Sequence, residues 1–306
     1  MEANGSSKKI DDVGETERDV ATRNQFAAEK HAVIYKKHRP KADPKAIERI
    51  LNFAKEKKST RFTLAVDIAC GSGQGTEDLA QHFEKVIGID ISSAQINEAN
   101  RTNKATNVEY KVGDAENIPV KDNSVDLVTC SQAVHWFDFD TFLREVDRIL
   151  TPNGVLAVYS RGDYVLLHDD QEVEKELTTI YKECTWKTLK NYWNDPVHAT
   201  RQKGYVDLNI PYPDFNRTRI QSKMDMTLTE LTGFISSFTA YQRFRKENPD
   251  EDIFTPLYAR FLRALKVNTE PDKTVVTAGC PLYLLMGRKP DEEEIKRFHF
   301  VWEENE

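Results

Sequence analysis

Leu64-Ala65-Val66-Asp67-Ile68-Ala69-Cys70-Gly71-Ser72-Gly73-Gln74-Gly75-Thr76 opens on an apolar run, and three glycines crowd its second half. Glu77-Asp78-Leu79-Ala80 continues it with helical character, so the stretch reads as a buried strand turning sharply into a helix. A Cβ at the turn would block both the tight dihedrals and the close approach of backbone to a ligand, which is why glycine belongs there. The helix that follows would offer free N–H groups to a polar ligand group. The spacing Gly-x-Gly-x-Gly departs from the Gly-x-Gly-x-x-Gly of nicotinamide dinucleotide enzymes and disfavours that class.

Downstream, Val86-Ile87-Gly88-Ile89-Asp90 reads as a second strand ending in a carboxylate, seventeen residues after Gly73, where a ribose diol could be held. Val108 to Ala115 and Val125 to Cys130 read as third and fourth strands. These blocks together resemble class I S-adenosylmethionine-dependent methyltransferases. Their pattern is acidic-x-x-x-Gly-x-Gly, an acidic residue ending the next strand, and an Asp-Ala pair after the third. The resemblance implies S-adenosylmethionine as cofactor. Asp67 would accept hydrogen bonds from the turn or from the methionine ammonium group, and Gly71 and Gly73 would let the backbone meet the cofactor. Asp90 would hold the ribose hydroxyls with its two acceptor oxygens. Asp114 would accept from the adenine amino group while Ala115 donates its backbone N–H. Ile91 would pack on the adenine, with Ile118 more at home in the core.

Ser92-Ser93-Ala94-Gln95 is a capping-box start for the helix after the second strand. Phe142, Leu143, Val146, Ile149 and Leu150 give another amphipathic helix, stopped by Pro152-Asn153-Gly154, and Val155 to Ser160 reads as a fifth strand. This alternation predicts an α/β fold with a doubly wound, mostly parallel sheet. From Asp163 to Asp214 the pattern turns helical and aromatic, an inserted cover after the fifth strand beside the ligand crevice. Arg217 to Met226 is expected as a sixth strand. Helices over Leu228 to Phe238 and Ile253 to Leu265 follow, then a closing strand region at Val275 to Thr277 and Leu282 to Arg288. The sheet would then have the family's seven strands. The expected organisation is a disordered tail over 1–20, a methyltransferase domain over 21–290 with its cover at 163–214, and an acidic tail over 291–306.

Tyr35-x-x-x-Arg39-Pro40, followed by Pro44-x-x-Ile47 and an amphipathic helix, resembles the N-terminal segment of the branch that includes trans-aconitate and cantharidin methyltransferases. In that branch the segment is a lid over the cofactor, which would make Tyr35 and Arg39 cofactor-binding residues. The alternative is that they anchor the tail to the domain surface. Gln132-Ala133-Val134-His135-Trp136-Phe137 also resembles that branch, and Gln132 and Ala133 would line the methionine arm. His135 is a candidate general base, since neutral imidazole takes a proton near neutral pH. A carboxylate acceptor, with a pKa of ~4, would need no base, which leaves His135 a structural or substrate-binding role. For gripping such an acceptor, Arg39, Arg243 and Arg245 are candidates, because guanidinium forks bind carboxylates bidentately.

A net charge of −7 over 306 residues argues against nucleic acid as the main partner. The four cysteines, scattered and without a C-x-x-C pair, suggest neither a zinc site nor a disulfide framework. No apolar run approaches the ~18 residues of a membrane span, and the N-terminus is polar, so a cytoplasmic protein is expected. The expected activity is methyl transfer from S-adenosylmethionine to an oxygen of a small organic acid. The alternatives are an amine, phenol, protein or RNA acceptor, or a non-catalytic protein that only binds the cofactor.

Overall fold

The computed structural model describes residues 28–58, 62–193 and 203–296. The tail expected over 1–20, and residues 297–306 of the acidic tail, lie outside them. Helices α1 (Glu29–His38) and α2 (Pro44–Lys55) precede β1 (Leu64–Ile68), the short α3 (Thr76–Leu79), β2 (Lys85–Asp90), α4 (Ser93–Thr102) and β3 (Val108–Val112). β4 (Val125–Ser131), α5 (Phe139–Ile149) and β5 (Leu150–Arg161) complete the parallel half. Then come β6 (Val165–Leu167), α6 (Gln171–Lys182), β7 (Asp214–Thr227), α7 (Leu228–Ser236), α8 (Thr239–Glu247), α9 (Phe254–Leu265) and β8 (Val275–Arg288).

Strands β3, β2, β1, β4 and β5 lie side by side in that order and are all parallel. β8 runs antiparallel along β5, and β7 runs antiparallel along the other edge of β8. This is the expected doubly wound sheet with two differences. β8 is one continuous strand rather than two pieces, because β7 pairs with it from Val275 to Arg288, across the Gly279-Cys280-Pro281 interruption. An eighth strand, β6, also pairs with Thr277, Ala278 and Gly279 of β8, beyond the end of β5. Three residues at the start of the aromatic segment carry too little periodicity to announce it.

The parallel strands are covered on both faces, so consecutive residues are buried on opposite sides. Ala65, Leu127 and Ala157 join a core with α2 and α4, whereas Val66, Val128 and Leu156 join a second core under α5. A third core holds the cover: Leu177, Ile180 and Tyr181 of α6 pack with Leu231, Phe234 and Ile235 of α7 and with Phe261 of α9. The cover therefore draws on 228–265 as well as on the segment expected over 163–214. Among the described residues, no helix is long and apolar enough to cross a membrane.

Candidate active site

The chain leaves β1 toward β2 and β3 on one side and returns to β4 on the other. Ligands in such sheets bind outside the carboxyl ends of the strands where the order reverses. Two non-glycine residues at these ends, Ala69 after β1 and Gln132 after β4, have left-handed backbone, with φ of 53° and 58°. Such conformations are strained and persist where the surroundings hold them. Two cavities open here, one larger than the other, and they share Tyr35, Ala69, Gly71, Ser131 and Gln132 as a common wall.

The smaller cavity lies over β2 and β3. Gly71 has φ of 55°, and its N–H donates to Asp90 Oδ2 at 2.8 Å. The Ser92 N–H donates to Asp90 Oδ1, also at 2.8 Å. One carboxylate at the end of β2 thus fixes both the glycine turn and the start of α4. Burial pushes its pKa up, while the two N–H donors pull it back down. Ile89, Ile91, Ala115, Trp136 and Phe137 supply apolar walls, and Asp90 and Asp114 stand at polar positions among them. Ile118 is buried in the core, away from the cavity. Tyr35 lies across the turn, its ring 3.7 Å from where a Cβ on Gly71 would be. Its helix is tied down by Lys36 to Glu77 at 2.6 Å and by His31 Nε2 to the Ser237 carbonyl at 3.0 Å.

Gly73 differs from its expected role. It lines neither cavity; a Cβ there would overlap the Tyr110 hydroxyl, so this glycine makes room for the core. Asp67 borders the larger cavity, but its oxygens already accept the hydroxyls of Thr76 at 2.6 Å and Thr129 at 2.7 Å. Burial raises its pKa from the ordinary 3.8 to about 6. The folded chain therefore holds this proton more tightly than the unfolded chain. That preference favours folding below about pH 4 and is lost as pH rises through about 6, a change of up to about 3 kcal/mol. Asp67→Asn should accordingly gain stability relative to wild type between pH 4 and 7, read by urea unfolding at each pH; parallel curves would refute it.

The larger cavity lies under the cover and is walled by Tyr164, Tyr181, Trp186, Trp193, Phe234 and Phe238. Arg39 reaches into it, its guanidinium 4.7 Å from the ring centre of Tyr35 and 5.1 Å from that of Phe238. Arg161, at the end of β5, lines the same cavity and donates to the Lys41 carbonyl at 2.7 Å. The Nε atoms of both arginines are buried without a hydrogen-bond partner. Nothing local in the sequence marked Arg161, since its position depends on where β5 ends.

Two expected catalytic residues fall elsewhere. His135 lines neither cavity, and its Nδ1 is hydrogen-bonded to the Tyr205 hydroxyl at 2.7 Å. The partner that orients this ring is 70 residues away in the chain, and what keeps His135 from the acceptor is its place outside both cavities. Arg243 on α8 also lies outside both cavities and donates to the Tyr192 carbonyl at 3.2 Å, while Arg245 is held by the carbonyls of Asn248 and Glu251. Gln132 and Ala133 do line the smaller cavity.

The chain matches the family model described as a methyltransferase domain over residues 66–158, the span from β1 to β5. A Dictyostelium discoideum protein named as a methyltransferase is 30% identical over 255 residues, covering 83% of this chain and 92% of that one. A Saccharomyces cerevisiae protein named as an S-adenosylmethionine-dependent methyltransferase is 22% identical over 262 residues, covering 76% and 86%. The solved structure of a type II methyltransferase from Anaeromyxobacter dehalogenans superposes with a TM-score of 0.67 at 25% identity, covering 83% of this chain and 99% of that one. The residues present suit S-adenosylmethionine, for a carboxylate stands among apolar walls in one cavity and unpartnered guanidinium nitrogen in the next. With that sheet order, that crevice and these relatives, the chain belongs to the class I S-adenosylmethionine-dependent methyltransferases.

Proposed function

We propose that the enzyme methylates a carboxylate oxygen of a small organic acid, of which trans-aconitate is one example, with the nucleoside of the cofactor in the smaller cavity and the acceptor in the larger. The observation that carries this reading is the pair of arginines, Arg39 and Arg161, each with a buried and unpartnered Nε, lining one aromatic-walled space. Two carboxylates need holding there: the methionine carboxylate of the cofactor and that of the acceptor. Arg39 suits the first, because it stacks on Tyr35, which lines both cavities. Arg161 suits the second.

S-adenosylmethionine, when bound, supplies an electrophilic methyl on sulfonium. The protein's part is to position and desolvate the nucleophile. Asp90 accepts from ribose hydroxyls, while Ile91, Ala115 and Asp114 frame the adenine. The strained turn at Gln132 presents the wall shared by the two cavities, and the aromatic cover keeps water from the acceptor oxygen. A carboxylate of pKa ~4 arrives ionised, so no proton need leave. A base-free reaction accords with the position of His135 outside both cavities. The net charge of −7 likewise favours small acceptors over nucleic acid.

The test is release of S-adenosylhomocysteine with panels of small carboxylic acids, amines, phenols, peptides and bulk RNA. With an active acid in hand, Arg161→Gln should raise its KM about 10- to 100-fold, the worth of a charge-assisted hydrogen bond, with the Kd for S-adenosylmethionine unchanged. Arg39→Gln should raise that Kd instead. If amines drive release and acids do not, the aromatic walls rather than the arginines read the acceptor.

A further inference from the structure

We infer that Gln95 is a binding residue for the nucleoside half of the methyl donor, an inference that rests on the smaller cavity holding that nucleoside. Gln95 is the third residue of α4, where the sequence pattern expects its amide to reach back to the Ser92 N–H and close a capping box. Only half of that box forms. Ser92 Oγ accepts the Gln95 N–H at 3.3 Å, but the Ser92 N–H is taken by Asp90 Oδ1 at 2.8 Å. The amide of Gln95 is thereby released from the cap. It turns into the crevice, lines the smaller cavity, and lies with its Oε1 3.9 Å from a Cβ position on Gly71.

Gln95 is 2% exposed, and neither its Nε2 nor its Oε1 has a hydrogen-bond partner. A buried amide with both ends unpaired is costly, and folded chains rarely keep one. The cost is recovered when a ligand supplies both a donor and an acceptor. A ribose hydroxyl is both at once, whereas Asp90, five residues earlier and bordering the same cavity, has no hydrogen to donate when ionised and can only accept. The two side chains are complementary: the carboxylate takes hydroxyl protons, and the amide NH2 gives one to a hydroxyl oxygen.

The test uses Gln95→Met, which keeps length and volume while removing both polar atoms. Calorimetric titration with S-adenosylhomocysteine and with 5′-methylthioadenosine, which has the nucleoside and lacks the amino-acid arm, should show both ligands weakened by the same factor, about tenfold. The ligand-free variant should melt at or above the wild-type temperature, since an unpaired buried polar group has been removed. Unchanged Kd values, a loss for S-adenosylhomocysteine alone, or a lower melting temperature of the ligand-free variant would each overturn the assignment. Asp90→Ala, run in parallel, separates the two levels: if it too leaves both ligands unaffected, the nucleoside is not in this cavity and the failure lies with the site, not with Gln95.

Discussion

Asp90→Ala should raise the Kd for S-adenosylmethionine by about 10²- to 10⁴-fold while the chain stays folded. The carboxylate does two things at the end of β2. It accepts the Gly71 and Ser92 N–H groups, each at 2.8 Å, and so fixes the turn and the helix start around the crevice. It also presents acceptor capacity on both oxygens to the cavity walled by Ile91 and Ala115. Two hydrogen bonds from ribose hydroxyls to a charged acceptor, at about 1.5–3 kcal/mol each, convert to that range of affinity. The folded state survives because Asp90 pays a burial cost that its removal cancels in part, and because β2 is held in register by β1 and β3 on both sides. Calorimetric titration beside far-ultraviolet circular dichroism reads both quantities. A folded variant that binds the cofactor within threefold of wild type would show that the ribose is held elsewhere.

How much of this site the sequence discloses depends on the range of the forces that set it. Asp90, Gly71 and the Asp114-Ala115 pair sit where strand ends and glycine spacing place them, because a parallel strand and its turn are short-range consequences of apolar runs and missing Cβ atoms. Gln95 escapes for a subtler reason. Its capping role is correct by local rule, yet Asp90 competes for the same Ser92 N–H and wins by charge and position. Arg161, His135 and Gly73 depend on distant partners: the Lys41 carbonyl, the Tyr205 hydroxyl and the Tyr110 ring. No window of neighbouring residues contains them. The aromatic cover is visible as composition, whereas its partnership with α7 and α9 is a matter of tertiary packing.

Arg288→Met should have the opposite profile, a large loss of stability with cofactor affinity intact. Arg288 ends β8 and is 1% exposed, yet every part of its fork is engaged. Nε donates to Asp214 Oδ2 at 2.7 Å, and Nη2 donates to the Phe53 carbonyl at 2.6 Å and to Glu56 Oε2 at 3.2 Å. Nη1 donates to the Ala54 carbonyl at 3.4 Å, and the guanidinium lies 4.5 Å from the centre of the Phe53 ring. The two carbonyls belong to the last turn of α2, where helical geometry leaves acceptors without partners. One side chain thus caps α2 and fastens it to the β7–β8 edge. Removing it leaves the Ala54 carbonyl without its donor and the Phe53 carbonyl with only the long 3.4 Å bond from the Glu56 N–H, and it takes the charged donor from Asp214, which keeps Lys57 at 3.8 Å; the loss is about 2–4 kcal/mol, or roughly 5–10 °C in Tm. Lysine would not restore it, because a point charge cannot serve a fork of four acceptors. Because β8 is antiparallel, Arg288 pairs with Val155 in the first half of β5, so it lies at the edge of the sheet opposite the crevice. Titration with S-adenosylmethionine well below the lowered Tm should therefore return the wild-type Kd, and a Kd weakened in step with stability would mean that the two edges of the sheet are coupled.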